Sequence, residues 1–244
     1  MRITRTPRTA PTTRRTLLRA SAATAAAGVL AAGSSPVGAA PRPRSATAAR
    51  PATPAAALKE LAAGNRRWRT FHQRHPHETA GVRSALVSGQ SPFALILGCI
   101  DSRVPPELVF DQGLGDLMTV RSAGEVLDEA VLGSIAYGVL ELGIPLVVVL
   151  GHQSCGAVAA AVQSEETGES LPAHIQYVAD QIRPAIVHGQ HGDARVDATV
   201  SAQVRLVRSR LARETDLAAK VAAGELAIVG ARYELSTQLV HGVG

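Results

Sequence analysis

The sequence predicts an α/β fold, a mostly parallel central β-sheet flanked by α-helices, and three observations predict it. Phe93-Ala94-Leu95-Ile96-Leu97 and Pro145-Leu146-Val147-Val148-Val149-Leu150 are short runs without a charged residue, each followed by a glycine, Gly98 and Gly151. A strand buried on both faces of a parallel sheet has this uninterrupted apolar character, whereas a strand with one wet face alternates. Helical patterns lie between such runs, and strand–helix alternation builds parallel sheets covered by helices. The chain is also 46% hydrophobic and 18% charged, enough apolar material for a core of ordinary size.

Taken in order, the chain opens with a leader. Thr13-Arg14-Arg15-Thr16-Leu17-Leu18-Arg19 is a twin-arginine pattern, an Ala-rich stretch covers 20–32, and Val37-Gly38-Ala39-Ala40 offers small residues for cleavage. Residues 1–40 are therefore expected to be an export signal that hands the protein to the twin-arginine machinery and carries it out of the cytoplasm. The apolar stretch is shorter than the roughly 20 strongly apolar residues that a stable membrane span needs. Residues 41–55, rich in Pro, Ala and Arg, are expected to be an extended linker, and 56–244 the catalytic domain.

Ala57, Leu58, Leu61 and Ala62 stand at helical spacing, with Gly64-Asn65 as the expected stop. Residues 66–77 are expected to form a second helical segment or an arm. Segments 116–120 and 225–229 supply two further strands, the last followed by Gly230, and helices are expected over 126–142, 156–165 and 196–223.

A formal charge of +5 and a pI near 9.9 suggest a nucleic-acid partner, but the distribution argues against one. Residues 1–50 hold nine Arg and no acid, which leaves 16 basic against 20 acidic side chains in the rest. The domain itself is mildly acidic and, at 3% aromatic over the whole chain, poor in rings for stacking on bases.

Cys99-Ile100-Asp101-Ser102-Arg103 follows the first apolar run, and His152-Gln153-Ser154-Cys155-Gly156 follows the second. Groups just past the carboxyl ends of neighbouring parallel strands converge on one crevice. Two thiols, an imidazole and a carboxylate brought together this way suit tetrahedral zinc, which takes thiolate sulfur at about 2.3 Å and imidazole nitrogen at about 2.0–2.1 Å. On pattern alone the cysteines also fit core packing or a disulfide, and Asp101 with Arg103 fits a loop ion pair. The cysteines are 56 positions apart, so there is no C-x-x-C redox motif. Twin-arginine substrates fold before export in the reducing cytoplasm, where thiols stay available as ligands.

Cys99-x-Asp101-Ser102-Arg103 together with His152-x-x-Cys155-Gly156 resembles the paired signature of β-carbonic anhydrases. The resemblance continues through Val109-Phe110-Asp111-Gln112-Gly113-Leu114-Gly115-Asp116, Arg121-Ser122-Ala123-Gly124, Val131-Leu132-Gly133-Ser134-Ile135-Ala136-Tyr137 and Gly230-Ala231-Arg232-Tyr233, and is similar to actinobacterial members. It covers about three quarters of the chain. It implies one zinc per chain on Cys99, His152 and Cys155, and reversible hydration of carbon dioxide to bicarbonate and a proton by zinc-bound hydroxide. Asp101 would orient that hydroxide, with Arg103 keeping the carboxylate ionised and off the metal; where this dyad breaks in the family, the Asp becomes a fourth ligand. Gln112 would donate to substrate oxygens, and the assembly would be a homodimer or homotetramer. Hydrolysis of carbonyl sulfide or carbon disulfide on the same zinc, or a non-catalytic metal or thiol-redox role, are the alternative readings. Ile100, Ala136 and Gln153 depart from common family residues without touching a ligand, and no histidine, including His72, His75 and His77, is placed as a proton shuttle.

Overall fold

The two apolar runs become the centre of the sheet. In the computed structural model of the chain, which describes residues 50–244, they are β1 (Ala94–Gly98) and β3 (Leu146–His152), every residue of both being buried. Parallel to them run β2 (Leu117–Arg121), paired with β1, and β4 (Ala227–Tyr233), paired with β3. A fifth strand, β5 (Val240–Val243), adds to β4 in the antiparallel sense, giving the order β2-β1-β3-β4-β5. The register sets Gly98 opposite both Arg121 and Leu150, so the residues just beyond β1 and at the end of β3 share one edge of the sheet.

Side chains alternate across a strand, and the core divides accordingly. Leu95, Leu97, Val147 and Val149 pack under α4 (Glu129–Leu140), α7 (Gly192–Leu211) and α8 (Thr215–Ala222). Ala94, Ile96, Leu146, Val148 and Leu150 face α1 (Pro54–Arg69) and α3 (Pro106–Val109) on the other side. Each such leucine or isoleucine, removed wholly from water, contributes about 1.5–3 kcal/mol. A third cluster joins Cys99 and Cys155 to α5 (Gly156–Thr167), α6 (Ile175–Ile182) and Val200 of α7, beyond the strand ends. A short helix, α2 (Ala80–Ala85), lies between α1 and β1.

The four expected strands are all present, shifted by one or two residues at their starts. β3 and β4 run further than their apolar stretches, because pairing continues through Gly151 opposite Arg232 and His152 opposite Tyr233. The helix expected over 196–223 is two, broken at 212–214 where neither Gly nor Pro marks a stop, and it begins earlier, at Gly192. α4 starts at Glu129 rather than 126 because the Asp128 carboxylate accepts from Val131 N at 2.8 Å and caps it there. The expected leader and the linker up to residue 49 lie outside the described residues. Among the described residues no helix is long and apolar enough to cross a membrane.

Gly64-Asn65 does not stop the first helix. α1 continues to Arg69, and a Cβ on Gly64 would lie 1.7 Å from the Phe110 carbonyl oxygen, so the glycine permits close approach to the end of α3. Asn65 is buried and fully used: its amide donates to Val109 O at 3.1 Å and Gln238 O at 2.9 Å, and its carbonyl accepts from Val240 N at 3.0 Å. The arm beyond is pinned, since the Asp111 carboxylate accepts from the backbone of Arg74 and His75 and pairs with Arg67.

Two effects oppose each other in Gly64→Ala. Helix propensity favours alanine by about 1 kcal/mol, but the new methyl collides with backbone, and overpacking costs about 1–3 kcal/mol or more. Collision wins: urea unfolding at fixed protein concentration should show a net loss of roughly 2 kcal/mol, and a gain in stability would contradict the close-approach role.

Candidate metal centre

Three chain segments deliver the donor atoms. Cys99 follows β1 directly, His152 ends β3 and is held by its pairing with Tyr233, and Cys155 stands immediately before α5. Between the last two the chain turns sharply at Ser154, whose φ is +55°. Gly151 lets α7 close over the strand end, because a Cβ there would meet Val204 Cγ2 at 2.5 Å.

Cys99 Sγ, a ring nitrogen of His152 and Cys155 Sγ lie within 4.8 Å of one another, all on buried residues. Both cysteines are free, with the sulfurs 3.9 Å apart, far beyond the roughly 2.05 Å of a disulfide. His152 is 0% exposed, and its Nδ1 lies 2.9 Å from the Gln153 carbonyl oxygen. A carbonyl only accepts, so Nδ1 carries the hydrogen and Nε2 turns its lone pair toward the sulfurs. That Nε2 is buried without a hydrogen-bond partner among the described residues. An unpaired buried imidazole nitrogen beside two thiols is costly by itself and becomes an asset as the third donor to a tetrahedral metal. The residues present fit zinc.

Charge at the cluster is unevenly shared. The contact with Cys155, either sulfur being able to donate, together with the Gly124 N–H draws the Cys99 pKa down against the effect of burial. Cys155 is pushed up, first by that contact and then by burial. Burial resists a charge on His152, yet the adjacent Cys99 thiolate raises its pKa on balance. Glu125, buried and near the same thiolate, is raised well above the carboxylate range by burial first and the Cys99 charge second.

Asp101 stands just outside the donor set, its Oδ2 3.9 Å from His152 Nε2. Arg103 engages it with both arms of a fork, Nε to Oδ1 at 2.9 Å and Nη2 to Oδ2 at 2.7 Å, and its backbone N–H adds a third bond to Oδ1 at 2.9 Å. The Arg103 guanidinium holds the Asp101 carboxyl down at about 2. Asp101, expected either beside the metal or on it, has both carboxylate oxygens engaged by Arg103. Arg121, at the end of β2, fixes the same loop from below by donating to Cys99 O at 2.8 Å and Asp101 O at 2.6 Å.

A cleft of about 680 Å³ opens from this cluster. Cys99 and Asp101 form its floor, and Ile100, Ala157, Leu171 and Ile175 are among its apolar walls. Gln112 is the predicted site residue that one chain does not bring here. It is buried in a separate hollow with Arg50, Glu60 and Arg67, and its Nε2 is occupied by the Phe110 carbonyl at 2.9 Å. Of the departures noted in the sequence, Ile100 lines the cleft, while Gln153 accepts from Ser236 N at 3.0 Å and belongs to the scaffold.

Sequence reasoning missed Gln203, Glu125 and the roles of Arg121 and Gly124. For Arg121 a signal existed, a charged residue ending a strand opposite Gly98. For Gln203 the signal was faint, an amide at the spacing of Val200, Val204 and Val207 on the buried face of α7, with nothing local to say what it meets.

Residues 94–240 match the family model described as carbonic anhydrase. Carbonic anhydrase 2 of Mycobacterium tuberculosis is 44% identical over 184 residues, 75% of this chain and 89% of that protein. A carbonic anhydrase of Mycolicibacterium smegmatis is 43% identical over 185 residues, 75% of this chain and 90% of its own. Among solved structures, a Coccomyxa β-carbonic anhydrase in complex with acetazolamide has a TM-score of 0.63 at 24% identity, covering 76% of this chain and 86% of its own. A tetrameric β-carbonic anhydrase from Sordaria macrospora also gives 0.63, at 19% identity and 77% and 96% coverage; both likenesses concern the fold.

Proposed function

The chain belongs to the β-carbonic anhydrase family, and from that premise we propose that it hydrates carbon dioxide reversibly to bicarbonate and a proton on a zinc ion held by Cys99, His152 and Cys155. The observation that carries the reading is the buried cluster of two free sulfurs and an unpaired imidazole nitrogen within 4.8 Å. Bound there, zinc supplies a Lewis acid that lowers the pKa of a coordinated water from 15.7 to about 7.

The chain's own residues do the rest. The Gln153 carbonyl fixes the His152 tautomer, so the ring keeps its orientation when the metal arrives or leaves. Asp101, ionised by its bidentate partner, is an acceptor at the mouth of the cluster and would orient a water held there toward the cleft. Arg103, engaging both oxygens, would keep that carboxylate from turning onto a metal held there. The apolar cleft walls suit a small, uncharged, linear substrate that needs no donor to enter and leaves as an anion. The working protein is proposed to be a homodimer or homotetramer, exported by the twin-arginine route.

Replacing Cys99 or Cys155 with Ser should lower zinc affinity by more than the roughly 10–100-fold typical of an outer-shell change, and abolish hydration with it. Metal analysis beside stopped-flow assays with carbon dioxide and, in parallel, carbonyl sulfide decides this. Full carbon dioxide activity at much less than one zinc per chain would end the metal reading, and faster turnover of the sulfide would redirect the substrate.

Arg103→Ala should keep its zinc while the hydration rate at neutral pH falls roughly 10–100-fold, because the released Asp101 turns to the metal. Arg103→Lys should recover little, an ammonium lacking the planar fork. Near-wild-type rates in zinc-loaded Arg103→Ala would reduce the dyad to a loop ion pair.

Changing Arg14 and Arg15 together to Lys preserves charge but removes the receptor-read signal. The variant should accumulate in the cytoplasm; equal export of wild type and variant, by fractionation, would refute the twin-arginine route.

A further inference from the structure

α7 influences the donor cluster without contributing a donor. Gln203 on that helix is 1% exposed, and its Nε2 donates to the Gly124 carbonyl at 3.0 Å. Gly124 in turn donates its N–H to Cys99 Sγ at 3.4 Å. The glycine between these two bonds is locked in the left-handed region, φ +62° and ψ 29°, and a Cβ on it would lie 2.7 Å from Ile182 Cδ1 and 3.3 Å from Ala157 Cβ. The positive φ favours glycine here, and while φ and ψ hold these values the carbonyl and the N–H keep a fixed direction relative to each other, so a bond that holds the carbonyl also steadies the N–H.

Gln203 is not explained by packing. Among the described residues its Oε1 has no partner, nor has Glu125 Oε1 beside the same turn. A buried amide with one end unsatisfied is destabilising, a cost that a methionine or leucine of similar size would avoid. What the amide provides is the single bond to Gly124.

We propose that Gln203 is a positioning residue of the metal centre: by holding the Gly124 carbonyl it aims the Gly124 N–H at Cys99 Sγ and draws charge off that sulfur. The inference rests on Cys99 being a zinc ligand. Two thiolates donate heavily to one metal and blunt its acidity, and a hydrogen bond to one sulfur offsets part of that donation. It also fixes the lone pair that must point at the metal.

The test uses Gln203→Met, similar in volume and without a donor, and Gln203→Leu as a second variant. Wild type is loaded first with zinc, since failure to take up one zinc per chain sinks the metal reading by itself, before any variant is compared. With cobalt(II) in place of zinc, the sulfur-to-cobalt charge-transfer band of the variants should move to longer wavelength, as expected of a more electron-rich sulfur. Zinc should pass to a competing chelator with affinity weakened roughly 10-fold. An unmoved band overturns the proposal even if affinity or thermal stability falls, because those losses alone reflect packing. Should neither variant fold, the wild type still decides: nitrogen-labelled protein loaded with a spin-half cadmium isotope should show coupling between the metal and the Gly124 amide across the hydrogen bond. Absence of that coupling overturns the proposal too.

Discussion

The parallel register between β1 and β3 is the constraint on which the site depends. Gly98 opposite Leu150 sets Cys99 level with the end of the neighbouring strand, where His152 completes the ladder with β4. In a sheet, a slip of one residue sends every side chain to the opposite face. Such a slip here would bury Ile96 and Val148 under the wrong helices and separate the thiol from the imidazole in the same motion. The core therefore specifies the chemistry: the fully buried leucines and valines that hold the register also hold the donor geometry.

Negative charge is the second organising problem. Cys99, Asp101 and Glu125 crowd one strand end, each answered differently. Asp101 has a guanidinium fork, Cys99 has a neighbouring thiol and a backbone N–H, and burial pushes the Glu125 carboxyl well above the usual carboxylate range. Arg121 spends its donors on the Cys99 and Asp101 carbonyls rather than on their charges. It stiffens the loop and leaves the Asp101–Arg103 pair as the element free to respond to a metal.

Legibility in the sequence follows physical scale. Uninterrupted apolar runs and the residues beside them were readable, because burial on both faces leaves no room for polar residues, and ligands at strand ends inherit the position of the strand. β5 was not readable: Val240-His241-Gly242-Val243 lacks an apolar run, and only its pairing with β4 makes it a strand. Gly64 misled because a glycine that stops a helix and one that admits a carbonyl look alike in a string of letters. The break at 212–214 and the link from Gln203 to Gly124 depend on contacts between segments distant in sequence, which no local pattern records. Gln112 was assigned through resemblance, and within one chain its amide is committed to Phe110.

Asn65 bears on the order of assembly. It ties the first helix to residues 173 and 175 positions further on, through Gln238 O and Val240 N. During synthesis these partners leave the ribosome after nearly all of the described domain, so α1 must wait on the surface of an incomplete sheet, its apolar stripe unsheltered on that side. Contacts of such long sequence separation form late, after their loop-closure entropy has been met elsewhere. The last strand to appear is thus the one that latches the first helix, and a nascent chain lacking it presents an open sheet edge and a loose helix. Truncation just before β5 would therefore strip α1 of two hydrogen-bond partners and leave β4 as the sheet's open edge.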